Sequence, residues 1–410
     1  MRKTSLATTL LLGALAVAPS TASAAPSTAS AAPSTASAGP YTVSAAPAAL
    51  REVLLVGNAY GGTVSFVDER TFEVLGTLDV IPDLQQRLDE MNLVERAAYE
   101  VVRAENGDKL VDDVAVSPDG RIMYVSRSNL PDVVAIDLVT HQQVWRFELE
   151  GFHADHMAIS PDGSRIIVSD TTVNEAQVIN AATGQEVAEF PTGAYPHAND
   201  YSPDGTRLYN SSIGAVSLPR WLEWAKGAKR LTVVDPRTFQ VTRTYEFEHG
   251  VRPAVFTPDN RTMYAQLSYL NGLVEYDLVA GRIVRTVNLP YSEEGQATDP
   301  DDYPGNSAHH GIAMSGDGTK LCVAGTIDDY AAILDRPALT TQRIVPVGDI
   351  PYWAQSSFDG RYCYVTLSGD DEMAVLSYAT GDVVARVPVG DFPQRERNAK
   401  LSPEAIAALP

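Results

Sequence analysis

Five of the seven histidines in this chain fall in three short clusters: His153 with His156, His197 alone, and His309 with His310. Each cluster stands just ahead of a recurring tight turn. Counting five residues back from every such turn picks out Asp112, Asp155, His197, Arg252, His310 and Tyr352, and the same count from Ser402 adds Arg397. None of these is aliphatic. Imidazoles brought together from separate strands suit a transition metal, because neutral nitrogen donors fit Zn, Cu or Fe better than Mg or Ca. His153, His197, His309 and His310 are therefore the expected ligands of a Zn, Cu, Fe or Mn ion. Asp155, His156 and Tyr352 are the candidates to complete the shell or move protons. Arg252 and Arg397 would hold a carboxylate or sulfate, bidentately where geometry allows, with Asp112 and Trp353 beside them. A polar, water-lined channel would use the same residue types without any ligand, so convergence of the imidazoles is the deciding feature.

The elements that must position these side chains follow from the turns. Ser-Pro-Asp-Gly stands at 117–120, 160–163 and 202–205, with variants at 257–260, 315–318 and 357–360. Pro presets φ for the second turn position, and Asp and Gly accept the conformations that follow, so each copy is a hairpin corner. Short alternating strands flank each corner, such as Val114–Val116 and Arg121–Val125, and two more strands follow. Successive turns are 42 or 43 residues apart except for two longer intervals of 55 and 58. Four antiparallel strands per repeat at this period make a propeller blade. At the ends, 52–80 supplies three strands without an opening one. The stretch 391–402 resembles the opening of a blade, since Gly390-Asp-Phe-Pro-Gln matches Gly348-Asp-Ile-Pro-Tyr. The expectation is an all-β, seven-bladed propeller over 49–404, closed by the C-terminal strand and followed by a tail at 405–410. Closure of this kind removes exposed sheet edges.

These turns, followed by strands such as Tyr362-Cys-Tyr-Val-Thr366, resemble bacterial propellers of the YVTN or YncE-like type over roughly 50–402. The resemblance implies the fold and says little about function, which belongs to the site. Blade topology puts the Ser-Pro-Asp-Gly turns on one face, the bottom, and the insertions 81–110, 213–229 and 292–306 on the other. Apolar residues at helical spacing from Leu84 to Val101 predict a capping helix there. Elaborated loops over one face suggest a covered pocket. Trp221 and Trp224 in the second insertion either stack on a ligand or seal the lid. Asp328-Asp329 and Asp370-Asp371 read as solvated acidic loops, because they lack the alternating oxygen donors of an EF-hand.

Residues 1–24 read as a secretory signal: Arg2 and Lys3, an apolar stretch from Leu6 to Val17, then Ala22-Ser23-Ala24. Ala-Pro-Ser-Thr-Ala-Ser-Ala at 18–24, 25–31 and 32–38 makes 25–48 a disordered leader with no apolar surface to bury. A secreted protein is expected. A net charge of −21 argues against nucleic acid or anionic membrane as partners. With two cysteines there is no disulfide scaffold and no Cys-x-x-Cys-His motif, so neither haem nor, without a phosphate loop or dinucleotide fingerprint, a nucleotide cofactor is expected. Cys322 and Cys363 occupy second strands of consecutive blades, where they either bond across the blade interface or remain buried thiols. The functional expectation is a metal-dependent lyase, hydrolase or oxidase acting on a small or oligomeric anionic substrate. The alternative is a noncatalytic propeller that binds a ligand or protein through the same face.

Overall fold

The computed structural model describes residues 49–410, so the expected signal and leader lie outside the described residues. Within them, 28 strands form seven four-stranded antiparallel sheets arranged as a seven-bladed β-propeller. The recurring turn explains the regularity. In the first copy the Ser117 hydroxyl accepts a hydrogen bond from Ile122 N at 2.9 Å, which pins the corner to the next strand. Gly120 takes φ 72°, where a side chain would be strained and would also strike the backbone of Lys400 and Ser402. Equivalent serine hydroxyl bonds recur from Ser160, Ser202, Ser315 and Ser357.

Strand alternation gives every blade two apolar faces. Val53 and Leu55 pack against Val114, Met123 and Val125 of the second blade, whereas Leu54 and Val56 pack against Tyr364, Met373 and Val375 of the seventh. The same period-2 division builds an apolar layer between each pair of neighbouring blades, leaving the innermost strands to line the channel. The chain closes as its ends predict. Pro393–Leu401 is the inner strand of the first blade and pairs antiparallel with Arg51–Asn58, from Arg51 opposite Leu401 to Asn58 opposite Pro393.

The expected tail is instead a short helix, Pro403–Ala408, which we label α4, the third helix being Glu293–Ala297 in the last insertion. Ser402 caps it by accepting from Ala405 N at 3.1 Å, with proline at the first helical turn. Ala405 is buried in the layer between the first two blades, with Ile406 and Leu409 packed against it. The single capping helix expected over the top is two helices, α1 (Leu84–Glu90) and α2 (Leu93–Asn106). Asn92 separates them because its side chain accepts from Val94 N and Glu95 N, forming a capping box that starts α2 afresh. No helix among the described residues is long and apolar enough to cross a membrane.

The cysteine alternatives resolve in favour of the bond. Cys322 and Cys363 lie in the layer shared by the sixth and seventh blades, with Cα atoms 6.5 Å apart, and are disulfide-bonded. Each faces the other's blade, the geometry a bond requires. A crosslink spanning 41 residues stabilises by roughly 4 kcal/mol in the chain-entropy account. Thiol titration of unfolded, unreduced protein is expected to find no free thiols, and reduction to lower the unfolding temperature. Deleting 391–410 is expected to prevent cooperative folding, because it strips the first blade of its inner strand. Thermal melts of the truncated chain check this.

Candidate metal centre at the top of the channel

Strand register aligns the seven inner strands. Leu367 pairs with Pro351, Ser212 with Pro196, and Asn58 with Pro393, which fixes the residue after each of these first positions as the channel-mouth position. Those residues are Asp112, Asp155, His197, Arg252, His310, Tyr352 and Gln394. The expected Arg397 is therefore misplaced by three residues. Its strand runs on to Leu401 and ends in the cap of α4 rather than a hairpin turn, so a count of five back from Ser402 stops three residues short of Gln394. Deeper in the channel, Arg397 holds Asp113 through Nε and Nη2 at 3.0 and 2.8 Å. Asp113 is fully buried; burial opposes its charge, but Arg395 and Arg397 together hold its carboxyl below the ordinary value.

Three of the histidines converge. The His197 and His310 Nε2 atoms are 3.1 Å apart, and the His156 ring centroid lies 4.3 Å from that of His197. One nitrogen from each of the three can be chosen so that all lie within 4.8 Å of one another, and all three residues are buried. Their other nitrogens decide the tautomers. His197 Nδ1 lies 3.0 Å from Asp155 Oδ1, and His310 Nδ1 lies 3.3 Å from the Tyr352 carbonyl oxygen. A carboxylate and a carbonyl only accept, so both Nδ1 atoms carry the proton and both Nε2 atoms present lone pairs. Two lone pairs face each other at 3.1 Å. That contact is repulsive unless a cation lies between them or one imidazole abandons its Nδ1 bond. Two nitrogens on a tetrahedral ion at 2.0–2.1 Å would be about 3.3 Å apart.

Burial makes protonation the poorer remedy. It lowers the pKa of His310 and His156 well below the ordinary histidine value, helped by neighbouring His197, and by Arg252 at His310 and Arg395 at His156. His197 shifts down for the same first reason, although Asp155 works against it. The imidazoles are thus neutral donors, the form a metal needs. Burial opposes the charge of Asp155, but the hydrogen bond from His197 Nδ1 works against it, and its carboxyl is held below the ordinary range.

Above the histidines lies a cavity of about 70 Å³. All three insertions reach it, through Val102, Glu105 and Lys109, through Val216, and through Gly305. Arg252 lines it while one guanidinium nitrogen donates to the Gly305 carbonyl and Nε donates to Ser268 Oγ at 3.1 Å. Asp112, His153 and Tyr352 also line it. Tyr352 stacks on His310 at 4.2 Å between centroids. Trp353 is not a wall of the cavity. It packs beneath, 5.4 Å from His156 and 5.8 Å from His310, with the Arg395 guanidinium 3.5 Å over its ring centroid.

His309 does not join the cluster. It sits one residue before the mouth position, its side chain turned into the blade, where Nε2 lies 3.3 Å from the Tyr330 hydroxyl. Burial alone depresses its pKa to about 3. Sequence reasoning also passed over Lys109, Gln394 and Arg395. The Gly390-Asp-Phe-Pro match to Gly348-Asp-Ile-Pro contains the signal for the last two, since it equates Gln394 with Tyr352 and Arg395 with Trp353. The acidic top loops serve as stitching: Asp329 accepts from Ile350 N and Asp371 from Phe392 N of the following blade.

No family model matches the chain, and no curated protein sequence matches it. Among solved structures it is similar to a putative 6-phosphogluconolactonase from Bacteroides fragilis, with TM-score 0.60 and 13% identity over 85% of this chain and 98% of that one. It is also similar to the dihydro-haem d1 dehydrogenase NirN, with TM-score 0.56 and 12% identity over 86% of this chain and 76% of that one. A hydrazine synthase chain from Kuenenia stuttgartiensis matches at TM-score 0.43 and 19% identity over 66% of this chain and 96% of that one, too distant to bear on the fold. At such identities the first two support the seven-bladed propeller and nothing finer.

Arg397→Ala is expected to destabilise by about 3 kcal/mol, because it leaves a buried carboxylate with one arginine instead of two, without altering ligand binding in the cavity. Denaturant unfolding and a binding assay on one preparation check both halves.

Proposed function

We propose that this protein is a metal-dependent enzyme whose ion is held by His156, His197 and His310 at the floor of the covered cavity. The observation that carries the reading is the pair of Nε2 lone pairs facing each other at 3.1 Å. Three imidazole ligands leave a coordination position open toward the cavity, the pattern of a catalytic rather than a structural ion. Such an ion polarises a substrate oxygen or activates water, which suits hydrolysis or a lyase reaction.

The chain's own residues supply the rest. Asp155 fixes the His197 tautomer and orientation, the role carboxylates commonly take behind metal-bound histidines. Lys109 and Arg252 bring two positive charges to the cavity wall and would hold an anionic group, Arg252 in a fixed plane because Ser268 and Gly305 already orient it. A chamber of about 70 Å³ favours a small anion over an oligomer. The three insertions narrow the cavity's access to bulk water, which strengthens the charge interactions inside. We further infer that the chain is exported, from its N-terminal residues, and that its repeats are of the YVTN type.

A noncatalytic binding role has one observation in its favour. Trp221 and Trp224 in the second insertion are 74% and 83% exposed. They do not seal the lid, and such side chains suit a partner surface.

Protein purified without chelators is expected to carry Zn, Cu, Fe or Mn. His310→Ala should remove the ion held by the three imidazoles, and Asp155→Asn should weaken its binding 10–100-fold, each with the melting temperature kept within a few degrees. A metal-free protein of intact fold that takes up none of these ions on titration would overturn the enzyme reading and leave the binding one.

A further inference from the structure

Beside the three histidines lies a second group of donors, of which only Asp155 contacts them through a hydrogen bond. Asp112, His153 and Asp155 each offer one ligand atom within 4.8 Å of the others, and their exposures are 4%, 7% and 6%. We propose that this group binds a second divalent cation, so that the cavity holds a dinuclear metal centre. The inference rests on the metal-binding role proposed for the cavity, but on different donors, with Asp155 placed between the two sets.

The Asp112 carboxylate is the main observation. It is more than nine-tenths buried and borders the cavity, yet among the described residues no N–H or hydroxyl donates to either of its oxygens, and its one side-chain hydrogen-bonding partner is the carboxyl of Asp155, a second acid. His156 Nδ1 lies 3.6 Å from its Oδ1, beyond hydrogen-bonding reach. A buried carboxylate without a donor costs several kcal/mol unless a charge compensates it. Across from it stands Asp155, a second carboxylate. Two acids on one buried wall either share a proton or share a cation.

His153 completes the set. Its ring nitrogens have only the Ser128 hydroxyl, at 3.3 and 3.4 Å, and its Nε2 is 3.9 Å from Asp155 Oδ2. The two Asp155 oxygens are both close to His197 Nδ1, but only Oδ1 approaches His156, at 3.7 Å, while Oδ2 is the one toward His153. One carboxylate thereby orients a ligand of the first ion and offers an oxygen to the second. Lys109 lines the same cavity and is the competing source of positive charge, but it makes no direct ion pair with either carboxylate among the described residues. Two carboxylate oxygens and one imidazole suit Zn²⁺, Mn²⁺ or Fe²⁺, harder in character than the all-nitrogen set beside them.

The test uses the full chain, stripped with chelator, titrated with ZnCl₂ and dialysed before bound zinc is counted. Two equivalents are expected for the wild type and one each for Asp112→Asn and His310→Ala, with melting temperatures confirming that the variants fold. One equivalent in the wild type, unchanged in Asp112→Asn and lost in His310→Ala, would overturn the second site and leave the first intact. No bound zinc in the wild type would overturn both. If Asp112→Asn does not fold, anomalous scattering at the zinc edge from wild-type crystals decides: two peaks are expected, one within bonding distance of Asp112 and His153, and a single peak at the histidines would overturn the proposal.

Discussion

Everything at the top of the channel depends on closure of the blade circle. The strand Pro393–Leu401 travels from the far end of the chain to pair with Arg51–Asn58, and only then do seven inner strands surround one axis. Closure also brings Gln394 to the mouth and Arg395 beneath it, so the same backbone pairing that removes two sheet edges completes the channel chemistry. The apolar layers on either side of Val53–Val56 make this pairing a packing event on both faces.

The channel concentrates charges that a protein interior ordinarily excludes. Arg395 is nearly inaccessible, and burial foremost lowers its pKa to about 10. It is tolerated because Asp113 lies 3.1 Å from its Nη2 and the Trp353 face lies under its plane. Burial foremost, helped at His156 and His197 by this positive floor, keeps the histidines above it neutral, and the two carboxylates at the mouth oppose it. The centre is therefore electrostatically tense without a cation, and a divalent ion would relieve both the paired lone pairs and the paired acids.

An ordinary propeller mouth is open. Here α2, the segment around Val216 and the turn at Gly305 enclose it, and Arg252 ties the third insertion to the inner wall. Asn306 extends the tie, since its amide donates to the Val216 carbonyl at 2.9 Å, linking the third insertion to the second. The lid is thus held by the same residues that border the cavity.

The sequence by itself determined the architecture, because the recurring turn, the period-2 strands and the matching chain ends are local patterns with local physical causes. It also brought His153, Asp155, His156, His197 and His310 to one end of the channel, since position before a turn translates directly into height along an inner strand. Tertiary structure alone decided which imidazoles meet. His309 and His310 are neighbours in sequence, but alternation turns one into the blade beside Tyr330 and the other toward His197. The placement of Arg397 failed for a related reason: a longer inner strand ending in α4 broke the count that held in every other blade. The disulfide was undecidable from spacing, because facing requires knowing how two sheets are rotated against each other. The tautomers that turn two Nε2 lone pairs together come from Asp155 and the Tyr352 carbonyl, partners contributed by other blades, and no single strand carries that information.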